Sequence, residues 1–269
     1  MTLFKDKYSG IIIDVWGVIH DGEKSLPGAQ EFLDMLCEKN YPHVILTNSP
    51  RRSCFIENVF KKLNLSISDK SKIISCGEII HDDFKNKVLF KYKKQKREKL
   101  KVFEIDIEKT DFFNDLKDID LIDKVEDADL VFFQALNENM LNYVLNILEI
   151  AKKNHIPILC ANPDTSVYSG NKKIIRPGRV LKDYKGIVIH YGKPYGRIYS
   201  EAFKHLNVYD KNILSIGDNF LTDGMASSNY GMDFYLINSN LAKDTVNEVS
   251  NGNIKIEKSY DSLESLCNF

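Results

Sequence analysis

Two short apolar runs that stop at polar residues mark the first fifty positions, "GIIIDV" over 10–15 and "HVILTN" over 43–48. Each has the length of a buried strand. Between them, "SLPGAQEFLDMLCEKN" sets Phe32, Leu33 and Leu36 at helical spacing, with Pro27 near its start and Asn40 at its end, and this predicts an amphipathic helix. Strand, helix and strand in that order make a βαβ unit with parallel strands. The pattern returns late in the chain, where "NILSIGDN" and "DFYLIN" are strand-like and "FLTDGMASSNYG" supplies a short helix ending at Gly231. Alternation at both ends predicts an α/β fold with a doubly wound, Rossmann-like parallel sheet.

The middle has its own character. From about Gly77 to Tyr184 come a basic run, "KYKKQKREKLK", an acid-rich run, "DFFNDLKDIDLIDKVEDAD", the apolar "LVFFQAL", a long helical segment around "MLNYVLNILEIAKKN", and "IPILCANPD". The last three read as strand, helix and strand. The simplest account is a second α/β domain, 77–184, inserted into a core made of 1–76 and 185–269. The basic run could grip a polyanion, but the acidic stretch just after it can neutralise it.

Composition narrows the function. With 43% hydrophobic and 28% charged residues and a net charge of −1, nothing points to nucleic acid or a membrane surface. No apolar run reaches the roughly 18 residues of a membrane span, and the N-terminus lacks a signal peptide's apolar stretch, so a cytoplasmic protein is expected. Five cysteines without a C-x-x-C pair indicate neither a disulfide framework nor a zinc site.

In an open parallel sheet the ligand sits beyond the carboxyl ends of the strands. The residues that end the apolar runs are Asp14, then Thr47 with Asn48, then Asp218 in "SIGDNFLTD". Taken singly, the two aspartates could equally cap helices or organise turns, and Thr47 could satisfy backbone.

Together and in this order they resemble the haloacid dehalogenase superfamily. "DVWGV" is similar to its first motif, "LTNS" to its second, the lysine of "YGKP" (Lys193) to its third, and "GDNFLTD" (Asp218 and Asp223) to its fourth. "LTNSPRR", "SCGEIIHDDF", "ANPD", "YGKPYGRIY" and "GDNFLTDGMAS" resemble the class IIA branch, which holds p-nitrophenylphosphatase-like and nucleotide or sugar phosphatases with an α/β cap between the second and third motifs. The resemblance implies a phosphohydrolase for a small phosphorylated metabolite. In it Asp14 is the nucleophile that forms an aspartyl-phosphate. Asp14, the main-chain carbonyl of Trp16, Asp218 and Asp223 hold Mg²⁺, and Thr47, the amide of Asn48 and Lys193 bind phosphoryl oxygens. Asn162 and Asp164 of "ANPD" face the substrate, unless "NPD" is simply a turn. The partner expectations are that small substrate, no nucleic acid, no membrane, and a homodimer through the cap.

One position departs from the pattern. The superfamily's phosphatases carry D-x-D in the first motif, and the second aspartate protonates the leaving oxygen. Here that place is taken by Trp16, the chain's single tryptophan. An indole N–H donates a hydrogen bond but does not titrate. His20, six residues after Asp14, is the candidate for the missing proton. The alternative is a catalytically impaired protein that keeps the site to bind phosphate or a metabolite, or to regulate. Dehalogenases also lack the second aspartate but need no magnesium, so the full "GDNFLTD" motif counts against dehalogenation.

Overall fold

The computed structural model describes residues 7–95, 98–107, 110–208, 212–246 and 254–267. The first strands are β1 (Gly10–Ile13), β2 (His43–Thr47) and β3 (Lys72–Ser75), and the next are β4 (Leu100–Ile105), β5 (Ile119–Leu121), β6 (Leu130–Phe133) and β7 (Ile158–Cys160). A hairpin of β8 (Ser166–Ser169) and β9 (Lys172–Ile175) follows, then β10 (Val188–His190), β11 (Ile213–Gly217), β12 (Asp233–Ile237) and β13 (Ile256–Tyr260). They form a six-stranded sheet in the order β13-β12-β11-β1-β2-β3, a five-stranded sheet in the order β10-β7-β6-β4-β5, and the hairpin. Within both larger sheets every pair is parallel.

Period-two alternation explains the layering. Ile11 and Ile13 face one apolar cluster with Phe32, Leu33 and Leu36 of the helix Ala29–Glu38. Ile12 points the other way, into a cluster shared by the two sheets. Val102 and Phe132 enter that shared cluster from β4 and β6, while Phe103, Val131 and Phe133 face a third cluster with Val144, Ile147 and Leu148 of the helix Leu141–Lys153. The helices Cys76–Lys85 and Gly196–Leu206 fill the space between the sheets, contributing Ile79, Ile80, Phe84, Ile198, Tyr199 and Ala202.

The strands and helices read from the two ends of the chain lie where the pattern placed them. β10 does not. It pairs with β7, matching Val188 with Ile158 and His190 with Cys160, so these residues belong to the second sheet although they lie past position 184. The run "GIVIH" is too short and too half-buried to show on which sheet it lies.

The acid-rich run contacts the basic run and the residues just before it. Lys87 pairs with Asp118 at 2.7 Å, and this contact, with Lys99 and Lys93 nearby, holds the Asp118 carboxyl below its usual range. Asp129 accepts the main-chain N–H groups of Lys94 and Lys101, each at 2.9 Å. Lys96 and Arg97 of that run lie outside the described residues. Among the described residues no helix is long and apolar enough to cross a membrane.

Candidate active site

Four side chains from distant parts of the chain meet at the carboxyl edge of the first sheet. Asp14 follows β1 and Asp218 follows β11, as a switch-point site requires. Asp223 comes from a single π-helical turn, Phe220–Gly224, which leads into the helix Met225–Tyr230. Lys193 arrives three residues after β10, from the second sheet's edge strand. Its ammonium donates to Asp14 Oδ1 at 2.5 Å and to Asp223 Oδ1 at 2.7 Å. Lys193, Asp218 and Asp223 are each 2% exposed and Asp14 8%. These are charges in a medium where water screens little.

The charge balance is lopsided. Oxygens of Asp14, Asp218 and Asp223 lie within 4.8 Å of one another, and one ammonium faces three carboxyls. Burial, then Asp223, pushes the Asp14 carboxyl up to about 7 against the pull of Lys193. Burial, then Asp14, raises Asp218 well above the usual range. Burial alone would depress Lys193, but Asp14 and Asp223 outweigh it and hold its ammonium well above the ordinary value. Asp218 Oδ2 accepts from Ser239 at 2.5 Å, while Oδ1 is buried without a hydrogen-bond partner. Three hard, clustered carboxylates with an orphaned oxygen fit a small divalent cation. Gly17 makes room for this group: with φ at +81°, it lets the chain pass so close to Asp218 that an added Cβ would collide with that carboxylate.

The expected supporting residues are all nearby, but most are spent on one another. The Asn48 side chain accepts the Lys193 N–H at 2.6 Å and donates to the Lys193 carbonyl at 3.2 Å, which fixes the loop that presents the lysine. Its amide also donates to Asp164 Oδ1 at 3.1 Å, and Asn219 reaches the same oxygen at 3.3 Å. Burial raises the Asp164 carboxyl. Asn162 uses its side-chain oxygen to accept the Asp164 N–H at 3.1 Å, a local turn bond. Thr47, buried at the end of β2, accepts the Ser49 N–H at 3.2 Å.

Trp16 and His20 take other roles. The Trp16 indole N–H donates to the Tyr168 carbonyl at 2.5 Å, tying the β8–β9 hairpin to the loop after β1. Tyr168 OH and Lys173 Nζ both reach Asp244, at 2.9 and 2.6 Å, and secure the hairpin's other side. The His20 ring is 2% exposed and packs edge-on against Trp16 and Phe60. Its Nδ1 accepts the Gly22 N–H at 3.0 Å, and burial pushes its pKa down to about 4. Among the described residues it has no hydrogen bond or ion pair with the carboxylate cluster. At neutral pH this ring is uncharged and has no proton to spare for a leaving group. The expectation that His20 supplies the proton therefore gives way to a packing role, set by the apolar pocket between two aromatic rings.

Sequence reasoning did not reach Gly17, Tyr168, Arg176, Asn219 or Ser239. Gly17 and Asn219 adjoin motif residues and were within reach of it. Ser239 and Tyr168 come near the site only through the folding of β12 and the hairpin. Beside Asp218 a cleft of about 510 Å³ opens between Trp16, Tyr168, Ser239 and Lys243.

Known proteins share this architecture. The haloacid dehalogenase-like hydrolase family matches residues 11–105, and a HAD-hydrolase-like family matches residues 190–265. An acid sugar phosphatase of Staphylococcus aureus (strain USA300) is 23% identical over 264 residues, covering 96% of both chains. A haloacid dehalogenase-like hydrolase from Brucella suis 1330 superposes with a TM-score of 0.79 at 25% identity, covering 96% of each chain. A p-nitrophenyl phosphatase from Archaeoglobus fulgidus superposes with a TM-score of 0.68 at 18% identity, covering 97% of this chain and 99% of its own.

Proposed function

We propose that this chain, which belongs to the haloacid dehalogenase-like hydrolases, is a magnesium-dependent phosphatase for a small phosphorylated metabolite that works through an aspartyl-phosphate on Asp14. The observation that carries the reading is the Lys193 ammonium bridging Asp14 and Asp223 beside Asp218, all buried at one sheet edge. Phosphatases among its relatives support it. The proposed branch is class IIA. The second sheet then acts as the cap, with part of its edge, β10, carrying Lys193 toward the core.

In this reading an Asp14 oxygen attacks phosphorus, the bond to the leaving oxygen breaks, and that oxygen keeps the electron pair. Water then attacks the same phosphorus and the Asp14 carboxylate leaves. Lys193 neutralises a phosphoryl oxygen as charge develops there, which favours the transition state over the ground state. Asp14, Asp218, Asp223 and the Trp16 carbonyl would hold Mg²⁺, which when bound cancels charge between carboxylates and phosphate. Asn48 keeps Lys193 in place through its two main-chain bonds.

The weak step is proton transfer. Trp16 does not titrate, and its N–H is already given to Tyr168. A positioned acid or base contributes roughly 10²–10⁴ in rate, so turnover is slow for leaving groups that need a proton. That observation also favours the second reading, a phosphate- or metabolite-binding protein with little turnover. A panel of phosphorylated metabolites assayed with Mg²⁺ and with chelator separates the two. Magnesium-dependent phosphate release supports the enzyme; binding without release on every compound supports the alternative.

A further inference from the structure

Among the described residues, a guanidinium beside Trp16 has no carboxylate partner. Arg51 makes two hydrogen bonds to Asp106, at 2.5 and 3.1 Å, and a third to Gln134 at 3.2 Å. Arg52 pairs with Glu78 and Arg197 with Asp83. Arg176, between β9 and the helix Pro177–Leu181, pairs with no carboxylate among the described residues. Its main-chain N–H is anchored on the Thr165 carbonyl at 3.1 Å. Its guanidinium stands 5.7 Å from the centre of the Trp16 ring, and its Nε is buried without an acceptor.

A half-buried guanidinium whose Nε has no acceptor is unfavourable, and a ligand anion can complete it. Trp16 fills the place where the superfamily's acid would meet the leaving group, and Arg176 lies on the face of that indole. The charges acting on Arg176 are Asp164 and Arg51, whereas Asp164 also feels Lys193 and Asp223. Asp164 is thus near enough for its charge to act on both the Arg176 guanidinium and the Lys193 ammonium. Arg176 makes no ion pair with Asp14, Asp218 or Asp223 among the described residues, and it stands on the ring of Trp16, two residues along the chain from Asp14.

We propose that Arg176 is the receptor for a second acidic group on the substrate, a carboxylate or a second phosphate carried by the leaving part, so that the preferred substrates are phosphorylated acids. The planar fork of a guanidinium matches either group with two parallel hydrogen bonds, and the Trp16 ring beneath it offers an apolar wall for the carbon skeleton between. Asp164 is held in place by the amides of Asn48 and Asn219. The inference rests on the phosphatase reading above.

The test compares phenyl phosphate with 3- and 4-carboxyphenyl phosphate and with 1,4-phenylene bisphosphate, whose leaving phenols differ little in acidity. With Mg²⁺ the wild type should favour at least one doubly acidic compound over phenyl phosphate by about 10- to 100-fold in kcat/KM, chiefly through KM. Arg176→Met should bring that ratio to within a few-fold of unity, and Arg176→Lys should restore part of it. Preference for the carboxylates alone or for the bisphosphate alone identifies which acid is recognised. The melting temperature of Arg176→Met should stay near that of the wild type, because no ion pair of Arg176 is lost among the described residues. Equal kcat/KM for all four compounds, or a preference that survives in Arg176→Met, overturns the inference and leaves the phosphatase reading standing. Absence of turnover on phenyl phosphate itself overturns both.

Discussion

The indole nitrogen of Trp16 lies 2.5 Å from the carbonyl oxygen of Tyr168, so this side chain fastens the β8–β9 hairpin to the loop after β1. Trp16→Phe keeps a ring for Arg176 and His20 and removes only the N–H. It should lower stability by about 1 kcal/mol. Faster amide exchange confined to 166–175 would mark the loosened hairpin; unchanged exchange there would show that the bond does not hold it.

His20 should behave as a buried neutral ring. Its folded pKa, about 4, lies below the ordinary 6.5, so the stability it contributes is full above 6.5 and is lost as pH falls toward 4. Histidine NMR resonances followed from pH 3.5 to 8 should show His20 titrating near the bottom of that range. In His20→Asn the melting temperature should fall, while the pH dependence of phosphate release keeps its shape. A lost neutral-pH limb in that variant would return the proton to His20.

Much of this was legible in the chain. Asp14, Thr47 and Asp218 end apolar runs, and a parallel sheet brings strand ends together, so their meeting follows from pattern alone. Lys193 and Asp223 were reached only through the resemblance, because neither ends a strand; one rides in on β10 and the other on a π-helical turn. The sheet to which β10 belongs was not legible, since three half-buried residues carry no period. Nor was the fate of Trp16 and His20. Whether an indole meets a carbonyl depends on a hairpin 152 residues away in the chain, and whether an imidazole is dry depends on how the Trp16 and Phe60 rings pack against it.

The carboxylate cluster should set the pH response of the protein without metal. Asp14, with its folded pKa raised from 3.8 to about 7, contributes stability that is full below 3.8 and is lost as pH rises through about 7; Asp218 shifts in the same direction. In chelator, Asp218→Asn should therefore melt higher than the wild type at pH 8, by roughly 2–4 °C for each kcal/mol relieved, with a smaller gap at pH 5. Mg²⁺ should raise the wild-type melting temperature and leave that of the variant where it was. An equal Mg²⁺ response in both would remove Asp218 from the metal site.

Lys193→Met should do the opposite. It leaves three buried carboxyls without their ammonium, and loss of one partner from a buried ion pair costs about 3–5 kcal/mol. Thermal melts in chelator measure the drop, and phosphate release should fall to background. A variant as stable as the wild type would mean that the cluster is already largely protonated.

Without an acid at position 16, rate should follow the leaving group. Aryl and acyl phosphates should be hydrolysed faster than alkyl phosphates by a wide margin, and Trp16→Asp should narrow that gap by part of the roughly 10²–10⁴ range for acid–base catalysis. The same substitution frees the hairpin, so its melting temperature should fall. A wild type indifferent to leaving-group acidity would require a proton donor other than the residues at positions 16 and 20.

Covalent phosphoryl transfer to Asp14 is read by mass spectrometry of the acid-quenched protein during turnover of 4-nitrophenyl phosphate with Mg²⁺. Because the Trp16 indole cannot act as a base, one phosphoryl group should accumulate per chain and map to the peptide bearing Asp14. It should be absent in Asp14→Asn. Turnover with no adduct in the wild type, or turnover that persists in Asp14→Asn, would contradict the account.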